Sequence, residues 1–149
     1  MHAFTNQVDG YGPQSGVIFD HAGNLYGTTL FGNGSFGTVY ELSPTGTFPW
    51  KETLLHQFTN GSDGSWPYAP LTLDHWGNLY GTTEGFTVSA NAFKISSAST
   101  GRMFSVLHVL LGQSVAPLIR DAAGNLYGTT ESGGLRSGSG SVFELSPVK

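Results

Sequence analysis

Gly23-Asn24-Leu25-Tyr26-Gly27-Thr28-Thr29 occurs three times in this chain, returning unchanged at 77–83 and at 124–130. Seven identical residues in three copies are beyond chance, and self-similarity at a fixed period marks a repeat architecture. The likeness extends both ways. Asp20, Asp74 and Asp121 each stand three residues before the first glycine. Before them come short apolar runs: Val17-Ile18-Phe19, Leu71-Thr72-Leu73 and Leu118-Ile119. Downstream, a Gly-rich stretch leads to Val39-Tyr40-Glu41-Leu42-Ser43-Pro44. Its counterparts are Ala92-Phe93-Lys94-Ile95-Ser96-Ser97 and Val142-Phe143-Glu144-Leu145-Ser146-Pro147. Leu55-His56-Gln57-Phe58 then matches Leu107-His108-Val109-Leu110.

Asp-x-x-Gly-Asn reads as a tight hairpin turn, because Asp and Asn bond nearby backbone and Gly supplies positive φ. The alternation in Leu79-Tyr80-Gly81-Thr82 and Val39-Tyr40-Glu41-Leu42 fits strands with two different faces. Each unit thus predicts four strands, in the second unit near 71–74, 78–83, 91–96 and 103–110. Four antiparallel strands in about 50 residues make an all-β blade of the β-propeller type. A β-solenoid is the alternative, with shorter coils. We expect one repeat domain over 1–149, with units near 16–59, 70–110 and 117–149 plus 2–5. His2-Ala3-Phe4-Thr5-Asn6-Gln7-Val8-Asp9-Gly10 matches the stretch from His56 to Gly64, so the chain is expected to open inside a fourth strand. It ends just after a third. A two-fold homodimer forming a six-bladed ring follows, each N-terminal strand completing the partner's last blade; a piece of a longer propeller is the alternative.

Composition agrees. Charged residues are 11% against about 25% in ordinary soluble domains, too few to cover exposed helix faces. Net charge is −4 and the cations Lys51, Lys94, Arg102, Arg120, Arg136 and Lys149 are scattered, so nucleic acid is not an expected partner. No 18-residue apolar run is present, so no membrane-spanning helix is expected. Met1 to Asn6 lacks the basic and apolar regions of a signal peptide. With no cysteine, disulfides and thiolate metal sites are excluded.

The full pattern is Asp-x-x-Gly-Asn-Leu-Tyr-Gly-Thr-Thr, a Gly-rich loop, Val-Tyr/Phe-Glu-Leu-Ser-Pro, then Phe-Thr-Asn-x-x-Asp-Gly-x-x-Pro. It resembles the GloVer tandem repeat, named in bacterial choice-of-anchor proteins. The first unit fits best. The second ends in Ser96-Ser97, and the third has only Leu111 to Pro117 where the Asn-x-x-Asp-Gly segment belongs. The resemblance implies propeller-like repeats on a secreted or cell-surface bacterial protein and carries over no catalytic residue. The Asp-x-x-Gly-Asn-Leu-Tyr turn is also similar to turns of six-bladed propellers of the NHL type.

Chemistry is sparse. Gly32-Asn33-Gly34-Ser35-Phe36-Gly37 has dinucleotide-loop spacing, but a strand and not a helix follows it, so it reads as a hairpin loop. His2, His56 and His108 share one repeat position, and His21 and His75 another. Equal recurrence points to a structural role, the alternative being a histidine ring holding a metal or anion. Asp20, Asp74 and Asp121 are expected to bond the turns that follow them. Asn6-x-x-Asp9-Gly10 and Asn60-x-x-Asp63-Gly64 offer hard oxygen ligands of the calcium type without a full ligand set. Otherwise no cofactor is expected. Tyr26, Tyr80 and Tyr127 belong to the strand motif and are expected in the core.

Tyr11, Trp66, Tyr68 and Trp76 stand in loops or turns, and Trp76 replaces Ala22 and Ala123 of the other units, so the fold does not demand it. Aromatic faces beside amides and carboxylates are what a sugar site uses. The candidate ligand-binding set is therefore Tyr11, Asn60, Asp63, Trp66, Tyr68 and Trp76, with no catalytic or metal residue assigned. The expected function is a non-catalytic extracellular or cell-surface module binding carbohydrate. The alternatives are a structural assembly unit without a small ligand and a fragment of a propeller-based hydrolase.

Overall fold

A computed structural model describes residues 2–5, 9–32, 34–85, 90–98, 101–133 and 138–147. No helix forms among them; the eleven strands lie in three antiparallel meanders. The first sheet is β1 (Ile18–Phe19), β2 (Leu25–Thr29), β3 (Thr38–Ser43) and β4 (Lys51–Gln57). The second is β5 (Thr72–Leu73), β6 (Leu79–Thr82), β7 (Ala90–Ala98) and β8 (Gly101–Leu110). The third has three strands, β9 (Ile119–Arg120), β10 (Leu126–Thr130) and β11 (Ser141–Leu145). A register shift falls at Val39/Tyr40 between β3 and β4 and at the matching Ala92/Phe93 between β7 and β8.

Every residue of the repeated heptad has a task. Gly23, Gly77 and Gly124 close the first hairpin at φ 86°, 82° and 94°, a region that side chains disfavour. The turn aspartate accepts the rest. At Asp74, Oδ1 takes the amides of Trp76 and Asn78 (3.0 and 2.9 Å), and Oδ2 takes the Asn78 side-chain amide and the Tyr80 hydroxyl (2.8 and 3.0 Å). Asp20 repeats this with Ala22, Asn24 and Tyr26, and Asp121 with Asn125 and Tyr127. The heptad leucine is in the core at Leu79 and Leu126. The central glycine makes room for an aromatic ring on the next strand. A Cβ at Gly81 would lie 2.5 Å from Phe93 and one at Gly128 2.5 Å from Phe143. The first threonine reaches the following unit: Thr28 Oγ1 donates to Pro67 O (2.8 Å) and Thr82 Oγ1 to Ser114 O (3.5 Å). The second clips the strand end, Thr29 to Thr38 at 2.7 Å and Thr130 to Ser141 at 2.9 Å.

The core lies between successive sheets. Tyr26, Val39, Phe58, Leu71, Leu79, Phe93 and Ile95 join the first to the second, and Tyr80, Ala90, Ala92, Leu110, Leu118 and Leu126 join the second to the third. Tyr26 and Tyr80 are buried as expected, whereas Tyr127, on the third sheet, is only half-buried; each of the three hydroxyls also donates to its turn aspartate, a link the motif alone does not reveal.

The expected N-terminal strand takes another form. Residues 2–5 pair with no strand, and the third sheet keeps three. They pack on the first sheet instead. The His2 and Phe4 rings meet edge-on at 4.9 Å, and Phe4 meets Tyr40 at 5.0 Å. One unit on, His56–Phe58 (4.7 Å) and Phe58–Phe93 (5.4 Å) repeat this geometry. The segment therefore sits as the tail of a fourth strand preceding the first sheet. Of the described residues, His2 and Ala3 are the ones that correspond to residues of β4.

The turn carboxylates carry a pH signature. Burial alone would raise the Asp74 carboxyl, but the hydrogen bonds from Asn78, Tyr80 and Trp76 outweigh it and hold it below its ordinary value. The stability this contributes is complete above the unfolded value of about 3.9 and fades as pH falls through the lowered folded value. Replacing Asp74 by Ala is expected to cost about 2–4 kcal/mol in urea unfolding at neutral pH, and the gap to wild type should narrow below about pH 4.

Candidate functional site

The connections leaving β2, β6 and β10 gather at one end of the sheets. A shared backbone bond places them: Leu30 N donates to Gly12 O (3.1 Å), Glu84 N to Trp66 O (3.0 Å) and Glu131 N to Gln113 O (2.9 Å). Positions 12, 66 and 113 thus face 30, 84 and 131 in the same way in each unit. Between them opens a cleft of about 290 Å³, lined by Phe31, Trp66, Tyr68 and Glu84. Tyr11, 41% exposed, stacks on Phe31 with centroids 5.0 Å apart and planes at 25°.

Trp66 is the most telling residue. Its backbone has φ 53°, where the first unit has Gly12 at φ 72°. A bulky side chain in this left-handed region is an outlier that costs on the order of 1–2 kcal/mol. A turn alone would use glycine. The strained position is fixed by Trp66 N donating to Phe36 O (2.7 Å) and Tyr68 N donating to Trp66 O (3.0 Å). The indole is half-buried near Phe36.

Glu84 brings charge. Burial first, then the nearby Glu131 carboxylate, pushes its carboxyl above the ordinary glutamate value. The Gln113 side-chain amide donates to Glu84 Oε1 (3.3 Å). Aromatic faces and a carboxylate therefore share one concave surface, with the Gln113 amide bonded to that carboxylate.

The structure divides the sequence-derived candidates. Trp66 and Tyr68 line this cleft, and Tyr11 adjoins it through its stack on Phe31. Asn60 and Asp63 belong to the preceding turn. Asn60 has φ 61° and donates its N–H to Gly64 O (3.1 Å). Asp63 already accepts from Thr59 N (3.0 Å), Thr59 Oγ1 (2.6 Å) and Gly61 N (3.3 Å), and lies 3.2 Å from His56 Nε2. Burial lowers the His56 imidazole, with Asp63 opposing. Trp76 lies at the other end of β6, 63% exposed, beside His75 (3.6 Å) and under the Arg120 guanidinium (5.4 Å). It has no part in the cleft. Asn6 and Asn33 lie outside the described residues.

Phe31, Glu84 and Gln113 were not singled out from the sequence. The available signal was the position just after each Thr-Thr, where Leu30, Glu84 and Glu131 diverge while their surroundings repeat.

Among the described residues, His2, Asp9 and Glu52 form a group of three donor side chains within 4.8 Å of one another. His2 Nε2 lies 3.6 Å from Asp9 and 3.4 Å from Glu52. Its His–Asp half recurs as His56–Asp63, where Phe104 stands in place of Glu52 and stacks on the imidazole at 3.7 Å. The pairing is thus a structural element of the repeat, to which the first unit adds a carboxylate.

The model for the Gloeobacter/Verrucomicrobia repeat matches residues 1–149. The chain belongs to the Gloeobacter/Verrucomicrobia repeat family. The resemblance read from the heptad and its flanks is thereby shown. No curated protein matches this repeat chain at a significant level.

If Trp66 serves a ligand and not the fold, Trp66→Gly relieves the left-handed backbone while removing one wall of the cleft. Its urea midpoint is expected to correspond to a loss under about 1 kcal/mol, since relief offsets lost packing. A loss above about 3 kcal/mol would make Trp66 a core residue.

Proposed function

We propose that this repeat protein is a non-catalytic binding module that takes carbohydrate in the cleft of Phe31, Trp66, Tyr68 and Glu84. One observation carries the reading: a tryptophan is held at a left-handed backbone position, facing a cleft that also carries Tyr68 and a carboxylate. Sugar C–H faces stack on such rings, and sugar hydroxyls donate to Glu84 and accept from Gln113. A secreted or cell-surface place, where free glycans are met, belongs to the same proposal.

A second reading, assembly, is favoured by a different observation. Val39, Ala92 and Val142 hold one repeat position, and they are 0%, 0% and 80% exposed. The outer face of the third sheet is bare where its two predecessors are covered by the next unit. We read the sheets as successive propeller blades whose series continues onto another copy, with a six-bladed homodimer as the simplest closed ring. The two readings are compatible, since the cleft lies at the loop end and the bare face on the side.

A glycan array tests the first. The expected result is saturable binding to one sugar class, lost in Trp66→Gly and Tyr68→Ala and retained in Trp76→Ala. A blank array from folded protein, or loss of binding in Trp76→Ala, would overturn it. Light scattering tests the second, with twice the chain mass expected and the chain mass alone contradicting it.

A further inference from the structure

Three donor side chains converge where residues 2–5 pack on the first sheet. His2 Nε2 lies 3.6 Å from Asp9 Oδ2 and 3.4 Å from Glu52 Oε2, and one donor atom of each residue lies within 4.8 Å of the other two. The side chains of His2, Asp9 and Glu52 are 13%, 7% and 18% exposed, so water screens them little. The repeat supplies a comparison within the same chain. One unit on, His56 Nε2 stands 3.2 Å from Asp63 Oδ2, within hydrogen-bond reach, and Phe104 closes the place by lying flat on the imidazole at 3.7 Å and 6°. In the first unit Glu52 replaces Phe104, and the histidine and aspartate stand farther apart. His2 Nε2 and Glu52 Oε1 are buried there with no hydrogen-bond partner among the described residues. Buried polar atoms are costly to leave unpaired, so a pair of them in one spot points to a missing partner.

We propose that His2, Asp9 and Glu52 together bind one divalent transition-metal ion of the zinc type, which fastens the N-terminal segment to β4. The spacing fits. Zinc bonds of about 2.0–2.2 Å in tetrahedral geometry set neighbouring donors about 3.3–3.6 Å apart. A protonated imidazole paired directly with these carboxylates would instead close to about 2.7–2.9 Å. The donor chemistry fits as well. One imidazole nitrogen and two carboxylate oxygens suit zinc and its neighbours in the first transition row, whereas calcium takes six to eight oxygens. The ligands are already oriented. Asp9 Oδ2 accepts from Thr5 N (2.7 Å) and Oδ1 from Thr5 Oγ1 (2.8 Å), and the His2 ring is set edge-on against Phe4 at 4.9 Å. Contacts of this kind fix the direction of a metal ligand. A water completes the fourth position. This inference rests on neither the carbohydrate nor the assembly reading.

The test is calorimetric titration of the untagged full chain with zinc chloride after chelator treatment, with melting curves alongside. One ion per chain is expected to bind saturably, and free zinc at one hundred times its Kd should raise the melting midpoint by about 5–10 °C. Calcium chloride is expected to do neither. Glu52→Phe gives the first unit the residue that the second already carries, so it is expected to fold and to weaken zinc by about 100-fold or more. Glu52→Gln, which keeps the size of the side chain, is expected to weaken zinc likewise, whether or not the Phe variant folds. His75→Ala, which removes an exposed histidine elsewhere, is expected to bind as the unaltered chain does. Failure of the unaltered chain to bind zinc would overturn the proposal. So would undiminished binding in a folded Glu52 variant, loss of binding in His75→Ala, or calcium binding more tightly than zinc.

Discussion

One carboxylate organises each unit. The aspartate before the heptad gathers a turn amide, the asparagine amide and side chain, and a tyrosine hydroxyl six residues on. This ties the hairpin turn to the strand that follows it. The strand's remaining features depend on that anchor. With the tyrosine ring directed toward the next sheet and its hydroxyl held, the adjacent glycine lies under the aromatic residue of the third strand, and the first threonine points out to the neighbouring unit. Removing the carboxylate leaves a buried phenol and an amide without their acceptor, which costs more than the bond itself contributes.

The units then join by one recurring device. A threonine of one sheet donates to a loop carbonyl of the next. Between the first and second sheets β8 adds to this, Arg102 bonding the Tyr26 hydroxyl and Phe104 stacking on His56. His2 and Phe4 imitate, on the first sheet, what His56 and Phe58 do on the second. At the far end Val142 lies bare. The aromatic cleft is set apart from these joints, at the loop end, where the sequence is freer to vary because the ladder does not constrain it.

The fold was legible because its determinants are local and repeated. The turn aspartate, the positive-φ glycine and the alternating strands lie within a dozen residues, three times over. The tyrosine–aspartate bond was less legible, since burial alone already accounts for a tyrosine on a strand. The cleft was read in part. Tyr11, Trp66 and Tyr68 were recognised as aromatics outside the strands, but Phe31, Glu84 and Gln113 come from different units and meet only through the equivalent backbone bonds at 12, 66 and 113. Trp76 was grouped with them because the repeat shows that a position is free of fold constraint without showing at which end of a strand it lies. Asn60 and Asp63 carried ligand-like chemistry that the local turn absorbs.

The most direct measurement is an ultraviolet titration of the tyrosine hydroxyls, with the β-sheet circular dichroism followed alongside. Burial and the hydrogen bond to the turn carboxylate push both Tyr26 and Tyr80 up to about 12. A distinct set of tyrosines that ionises only near that pH while the fold persists, and that loses a member when Asp74 is replaced by Ala, is the result the carboxylate anchor requires. Ionisation of all six tyrosines as one set near pH 10 in the folded chain would contradict it.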